Sequence, residues 1–278
     1  MFMHFCRKSL LLVTLLFSFN LIAMDGAKPS KEWLTLHTDN FKIHYTEEYR
    51  QWAQSAAHEL EASVELIKQQ QNRALEKKAD VVVFDPFNDS NGFAVPFSQD
   101  PIMALFTTPP LSDSIISNSS SWQQLLALHE YVHLVHIAQP SRSTWKRVLS
   151  EYFNIADLIL STKDIPRRVG EGYATLLESK LTGRGRLYDS KVEALLFQFA
   201  REGALPRYNE LNDVEGRYRI GNMAYIMGGR FLAWLEKNYS EQTLDNVWTR
   251  LKAVKGRSFE EAFKGVFGDT PEYLYQRF

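Results

Sequence analysis

Residues 125–137 read LLALHEYVHLVHI and place three histidines and a glutamate inside an apolar run. Among them, His129, Glu130 and His133 form the pattern HExxH. On a helix, positions i and i+4 lie on one face about 5–6 Å apart, so both imidazoles can direct a nitrogen at a shared ion. Glu130 is placed to contact a water on that ion. Zinc lowers the pKa of such a water toward about 7, and a carboxylate can then accept its proton during attack on a carbonyl.

The pentapeptide is short enough to occur by chance in a helix with surface histidine and glutamate. Here the flanking residues are apolar nearly all round, so we expect the helix to be buried. A buried His-Glu-His set without partners is costly in free energy. A metal site is therefore the preferred interpretation.

A catalytic zinc site needs a third protein ligand, and Glu171 in the stretch PRRVGEGYATLLESKLTG is the candidate. We expect Glu171 to open a helix that ends at Gly183, with Gly170 and Gly172 allowing close backbone approach to the site. A carboxylate at a helix start is also favoured by the helix dipole alone. Beside HExxH, the ligand interpretation is preferred.

HExxH followed by a glutamate in the context GEGYA resembles the gluzincin metallopeptidases. Within them it resembles the bacterial peptidase MA-like group, which is related to aminopeptidase N-type catalytic domains. The resemblance covers roughly residues 41–278 and is strongest from residue 122 onward. It implies an α+β fold, with a small mixed β-sheet packed on a mainly helical zincin catalytic part. It also implies peptide-bond hydrolysis, with Zn2+ held by His129, His133 and Glu171 and with Glu130 as the general base.

The resemblance further implies a tyrosine in a Y-x-x-G stretch on a later helix, which stabilises the oxyanion of the reaction. Tyr225 and Gly228 have this spacing in the stretch AYIMGGRFLAWLEKNY. A phenol that donates to developing negative charge suits the role. The alternative is a core tyrosine on an apolar helix, and Tyr218 is the substitute candidate.

The chain departs from aminopeptidase N-type enzymes because it lacks a G-x-M-E-N strand, whose glutamate holds the free amino group of the substrate. The corresponding stretch, NGFAVPFSQDPIMALF, contains no glutamate. Endopeptidase cleavage is therefore preferred to aminopeptidase action. A strand in this stretch could hold an extended peptide along its edge.

Five further polar residues lie near these positions in sequence. Thr175 and Glu178 share the helical face of Glu171 and are candidates to support the metal-binding histidines. His136 is interpreted as packed and hydrogen-bonded in the core, with a role at the site as the alternative. Arg184 and Arg186 are assigned to a flexible surface loop, with contact to a substrate carboxylate as the alternative.

The elements that must position these residues divide the chain in two. The first part has alternating or apolar patterns that predict strands over residues 41–46, 80–84, 93–95 and 102–106. It also has one long amphipathic helix, predicted over residues 48–78. The second part is helical by pattern, over residues 122–138, 145–160, 168–181, 190–201, 222–238, 241–253 and 259–267. Ser121 and Ser258 fit capping boxes, and Thr270 precedes a helix that starts with proline. We predict one domain over residues 28–278, with a sheet-containing part over 28–115 and a helical part over 116–278.

The N-terminus has the layout of a secretory signal peptide over residues 1–27. Arg7 and Lys8 precede an apolar run over residues 10–22. That run is shorter than the roughly 20 residues of a membrane span, and an uncleaved anchor is the alternative. Cys6 is the only cysteine and precedes the run, so a lipid anchor is rejected and the mature chain would have no thiol ligand. We expect an exported protein, periplasmic or secreted, without stable membrane insertion after cleavage.

The charge pattern excludes some classes of partner. The 278 residues have a net charge of −1 and no long basic or acidic block, so nothing suggests nucleic acid or a charged membrane surface. The preferred hypothesis is an exported zinc-dependent endopeptidase that acts on a peptide or protein substrate. The alternative is a zinc-containing binding or assembly module with vestigial or no peptidase activity. A third, weaker hypothesis is a scaffold without metal.

Overall fold

The computed structural model describes residues 31–85, 87–153, 159, 162, 164–212 and 218–278, with side chains from residue 222 onward in the last range. The predicted signal peptide over residues 1–27 lies outside this part of the chain. The described residues have an α+β fold, as predicted, with one mixed sheet followed by helices.

The sheet has five strands in the order β1-β2-β3-β5-β4. Their bounds are β1 Trp33–His37, β2 Phe41–Thr46, β3 Ala79–Phe84, β4 Gly92–Val95 and β5 Ile102–Phe106. The three inner strands β2, β3 and β5 run parallel, and the outer strands β1 and β4 are antiparallel to their neighbours. The sequence analysis did not predict β1, a short strand with no fully buried residue.

Nine α-helices lie within the described residues. They are α1 Arg50–Gln71, α2 Trp122–Ile137, α3 Thr144–Tyr152, α4 Arg167–Thr182, α5 Ser190–Arg201, α6 Tyr218–Asn238, α7 Glu241–Leu251, α8 Phe259–Phe267 and α9 Pro271–Arg277. Ser258 forms the full predicted capping box at the start of α8. Ser121 forms half of its predicted box, in which its side chain accepts a hydrogen bond from the backbone N–H of Gln124. Thr270 caps α9. None of the described helices has the length and apolar content to cross a bilayer.

The predicted ends of two helices are wrong, and Glu171 does not open its helix as expected. The helix predicted over residues 48–78 ends at Gln71, because Asn72 adopts a left-handed conformation with φ of 51°. The helix predicted over residues 145–160 ends at Tyr152, because Phe153 is extended, and residues 154–158 lie outside the described part. α4 begins four residues before Glu171, which therefore lies in the second turn and not at the helix start.

One hydrophobic core runs through both predicted parts of the chain. α1 packs on the sheet and on α2, and the Phe41 ring meets the Tyr131 ring edge to face at 5.9 Å. The indole of Trp122 donates to the carbonyl of Phe106 at 2.8 Å, which ties the start of α2 to the end of β5. The site helix α2 is therefore fixed against the sheet along its length.

Candidate metal centre

α2 carries the HExxH residues on a helix that is buried on nearly all sides. His129 and Glu130 are buried, and His133 is partly accessible. α4 packs against α2 and brings Glu171 to the histidines. Its Oε2 lies 3.1 Å from Nε2 of His133 and 3.4 Å from Nε2 of His129. The structure thus gathers the three side chains predicted as metal ligands, with ligand-type atoms all within 4.8 Å of one another.

These separations suit a single small cation. Ligand atoms bound about 2.0–2.1 Å from a tetrahedral zinc ion lie about 3.3 Å from each other. The two distances from Glu171 are close to that value. Two imidazoles and one carboxylate are a ligand set of catalytic zinc sites, in which the fourth position is kept for water or substrate. The residues present therefore fit zinc.

Glu178 fixes the orientation of the His129 ring. Its fully buried carboxylate accepts a hydrogen bond from Nδ1 of His129 at 2.7 Å. Nδ1 therefore carries a proton, and Nε2 faces Glu171. Arg186 donates to the same carboxylate twice, from Nε to Oε1 at 2.8 Å and from Nη2 to Oε2 at 2.6 Å. The sequence singled out Glu178 as a support for the histidines, but not its partner.

The assignment of Arg186 to a flexible surface loop is wrong, since the side chain is buried beneath the histidines. After α4 the chain reverses at Gly183 and Gly185, whose φ angles of 68° and 101° are left-handed. This turn brings the Arg186 side chain back against Glu178 of α4. Arg184, between the glycines, is exposed. The signal in the sequence is the pair of glycines directly after the helix, which predicts a tight reversal.

The carboxylates give the centre a negative field. Burial by itself would lower the pKa of His129, but hydrogen bonds to Glu171 and Glu178 outweigh it and raise that pKa to about 9. Burial would raise the pKa of Glu171, yet the charge of His133 and the hydrogen bonds from both histidines hold it well below its usual range. Burial would also raise the pKa of Glu178, but Arg186 outweighs it and the result is about 2. A cation between the imidazoles and Glu171 is therefore electrostatically favoured.

Glu130 lines the same cavity beside the ligand cluster. Burial raises the pKa of its carboxyl above the usual value, which suits a group that must accept and return a proton. Gly92 of β4 packs against it, and a Cβ at that position would lie 3.3 Å from Oε1 of Glu130 and 2.6 Å from the Leu126 side chain. A larger residue there would push on the carboxylate, so the glycine leaves the space that Glu130 needs.

Tyr225 reaches the cavity from α6. Its ring stacks on the His129 ring with centroids 6.0 Å apart and planes 25° from parallel. The guanidinium carbons of Arg167 and Arg186 lie 5.3 and 4.6 Å from the Tyr225 ring centroid. Burial raises the pKa of the phenol to about 12, so it stays protonated and able to donate. The side chain of Tyr218, the substitute candidate, lies outside the described residues.

Two predicted neighbours of the site take no part in it. His136 packs behind the centre, where Nδ1 donates to the carbonyl of Val132 and Nε2 lies 2.8 Å from the amide oxygen of Gln71. Burial lowers its pKa to about 3, so it is a neutral, hydrogen-bonded core histidine, as predicted. Thr175 is fully buried, and its hydroxyl has no hydrogen-bond partner within the described residues. It therefore supports neither histidine.

α4 and α6 meet at glycines, which sets the distance between Glu171 and Tyr225. A Cβ on Gly172 would lie 2.6 Å from the carbonyl carbon of Gly228, and a Cβ on Gly228 would overlap the carbonyl oxygen of Arg168. Neither position has room for a side chain. Gly172 follows Glu171 directly, and Gly228 lies three residues after Tyr225, so the close crossing brings both candidate side chains to one cavity.

That cavity has a volume of about 640 Å³ and is open to solvent. The edge strand β4 forms part of its wall, together with α2 and the first turns of α4. Among the described residues that line it, the only carboxylates are Glu130 and Glu171. Both already belong to the candidate centre.

The comparisons with known proteins are distant. No family model matches the chain. An uncharacterized protein of Treponema pallidum (strain Nichols) is 25% identical over 226 residues, which are 79% of this chain and 19% of the relative. The chain thus spans about a fifth of that relative's length. Among solved structures, a mutant M1 zinc metallopeptidase from Deinococcus radiodurans has a TM-score of 0.45 and 13% identity, covering 88% of this chain and 51% of that one.

Proposed function

We propose that this protein is a zinc-dependent metallopeptidase of zincin type. The observation that carries the proposal is one arrangement of side chains. Nε2 of His129 and Nε2 of His133 converge with the Glu171 carboxylate, and a second buried carboxylate, Glu130, lines the same cavity. A site that only binds metal for stability has four protein ligands and no use for a free carboxylate beside them.

His129, His133 and Glu171 would hold the ion. Zinc, when bound, supplies Lewis-acid polarisation of a carbonyl and makes a water acidic near neutral pH. Glu178 and Arg186 keep the His129 ring oriented so that Nε2 would face the ion. The chain's own residues therefore prepare the ligand geometry before an ion arrives.

Glu130 would accept the proton of the attacking water and pass it to the leaving amine. Its raised pKa brings it closer to the pH at which it must do both. Tyr225, kept neutral by burial, would donate from its hydroxyl to the oxygen of the attacked carbonyl as negative charge develops there. The two groups line one cavity, so they can act on the same substrate.

The cavity wall supports endopeptidase cleavage over aminopeptidase action. Within the described residues, no lining carboxylate remains for a free substrate amine once Glu130 and Glu171 are assigned. β4 is the outer strand of the sheet, and its unpaired edge could bind an extended peptide by backbone hydrogen bonds. Export is part of the proposal as well; it is supported by the apolar run over residues 10–22 behind Arg7 and Lys8.

The test is the variant Glu130→Gln, assayed for zinc content and for cleavage of an unfolded protein such as casein. We expect zinc content to stay stoichiometric, because Glu130 is not a ligand. The cleavage rate should fall by about 10²-fold or more, because the proton acceptor is lost. Glu65→Gln, the same change at an exposed position of α1, is the matched control and should leave both measurements unchanged.

Two outcomes would overturn the proposal. Cleavage by Glu130→Gln at the wild-type rate would show that Glu130 is not the general base and would contradict the proposed mechanism. If zinc-loaded wild-type protein cleaved neither casein nor a peptide library, the zinc-containing binding or assembly module would be favoured instead.

A further inference from the structure

Helix α3, Thr144–Tyr152, buries little of its surface against the rest of the described protein. Its only fully buried residue is Ser150. Three of its four large apolar residues are exposed, Trp145 at 62%, Val148 at 48% and Tyr152 at 75%, and Leu149 is partly buried. A surface helix ordinarily turns its apolar stripe to the core. α3 leaves most of its apolar side chains exposed.

The exposed apolar residues form one continuous stripe. Trp145, Val148 and Tyr152 are spaced i, i+3 and i+7, which places them on one face of a helix. Phe153, directly after the helix, extends the stripe and is 61% exposed. Single exposed apolar residues are ordinary, whereas a contiguous set that contains three aromatic rings marks an interaction surface.

Cations surround this stripe, and they come from two distant segments of the chain. Arg142, Lys146 and Arg147 belong to α3 and the residues before it. The loop after α7 lies beside them, because the Arg142 N–H donates to the carbonyl of Lys252 at 2.9 Å. The ammonium of Lys146 also lies 3.5 Å from where a Cβ on Gly256 would be.

That loop adds both kinds of side chain. Val254 is 67% exposed, and Lys255 and Arg257 are the neighbouring cations. Residues 142–153 and 254–257 together hold five lysines and arginines and one acid, Glu151, a formal charge of +4. The whole chain has a net charge of −1, so positive charge is concentrated here.

We propose that residues 142–153 and 254–257, the α3 face, bind the surface of an anionic lipid bilayer. Tryptophan and tyrosine rings settle at the boundary between lipid headgroups and acyl chains, where one end is apolar and the other wet. Lysine and arginine next to them pair with the phosphates of anionic lipids. An amphipathic helix with this composition lies in the plane of the interface and does not cross it.

The sequence excluded a charged membrane surface because no long basic block was present. The cations of the α3 face are separated by about a hundred residues in the chain and meet only in the fold. A second copy of the chain is a poorer occupant, since a symmetric dimer through this face would oppose +4 to +4. The inference does not depend on the proposed peptidase activity.

Vesicle co-sedimentation tests it. Full-length protein is mixed with phosphatidylcholine vesicles containing about one-third phosphatidylglycerol, and with phosphatidylcholine alone. The double variant Trp145→Ser and Tyr152→Ser should bind the anionic vesicles about tenfold less tightly than wild type, with unchanged melting temperature and zinc content. The double variant Lys146→Glu and Arg147→Glu should lose the preference for anionic vesicles, because affinity for them should fall about fivefold for each cation removed. Phe197→Ser, an exposed aromatic of α5, is the matched control and should bind as wild type does.

All proteins in this experiment share the apolar run over residues 10–22, so differences between them report on the α3 face. Equal binding of wild type and the Trp145 and Tyr152 variant would overturn the proposal. A dimer that this variant abolishes would assign the face to a second copy. A large loss of melting temperature without loss of lipid binding would assign it to the chain's own core.

Discussion

A single buried carboxylate serves two purposes at the candidate metal centre. Glu178 orients His129 and at the same time balances the charge of Arg186, which is itself buried. A buried charge without its partner costs far more than the pair as a whole contributes. The affinity of the proposed metal site and the local stability should therefore both depend on Glu178.

Replacing that carboxylate by an amide tests this role. Glu178→Gln should lower zinc affinity about 10- to 100-fold, because the amide holds the Nδ1 proton of His129 less strongly and leaves Arg186 without a counter-charge. Competition with a fluorescent zinc chelator measures the change. Thr175→Val, on the same helix, is the matched control; it removes a buried hydroxyl without a partner in the described structure, and zinc affinity and stability should stay within error or rise slightly. Equal zinc affinity in the Glu178 variant and wild type would show that the orienting bond is unimportant.

The sequence predicted the candidate ligands and Glu178, but it missed Arg186 for a physical reason. His129 and His133 are spaced by the helix itself, and Glu171 stands in a recognisable local context. Arg186 meets Glu178 only because two left-handed glycines reverse the chain, and no periodic spacing records such a contact. The orphan hydroxyl of Thr175 was equally invisible, since helical phase gives a direction and not a distance.

At the scale of elements, the helices were predicted best where their ends carry chemical signals. α8 starts with the Ser258 capping box, and α9 starts with proline after Thr270, both as predicted. The prediction failed at the end of α1, because Asn72 stops the helix by a left-handed turn inside an otherwise helical pattern. For α3, periodicity predicts an amphipathic helix but not which side meets solvent.

The crossing of α4 and α6 gives a prediction for packing. Gly172→Ala should lower the melting temperature by several degrees, an overpacking cost of about 1–3 kcal/mol, because its Cβ would press into the backbone of Gly228. Gly170→Ala, two residues earlier, meets only the Ile165 side chain at 3.8 Å and should be neutral or stabilising by up to about 1 kcal/mol. Thermal unfolding of the two variants checks the difference. Equal melting temperatures would show that the helices separate without cost.

At the scale of the whole molecule, the two predicted parts are joined by polar contacts as well as by the core. Arg73, just after α1, makes a bidentate ion pair with Asp245 of α7, with both bonds at 2.9 Å. Gln71 donates to the hydroxyl of Tyr173 at 2.6 Å and contacts His136, so α1, α2 and α4 meet behind the centre. These contacts join residues 65 to 172 positions apart, so no local pattern in the sequence predicts them.

Metal should stabilise this fold without being required for it. The chain already has a continuous core and a prepared ligand set. Removing zinc with a chelator should lower the melting temperature by several degrees while far-ultraviolet circular dichroism stays unchanged; zinc at about a hundred times its dissociation constant restores about 2.7 kcal/mol. Glu171→Gln should show little response to chelator. Loss of the folded signal on chelation would contradict this.

The pairing of Glu178 with Arg186 bears on the order of folding and metal binding. Because protein groups alone orient the His129 ring, the proposed metal site would be formed before an ion binds. The ion bound at the proposed site would then depend on the supply in the compartment where folding ends, since divalent metals compete for such nitrogen and oxygen ligands by availability as much as by affinity.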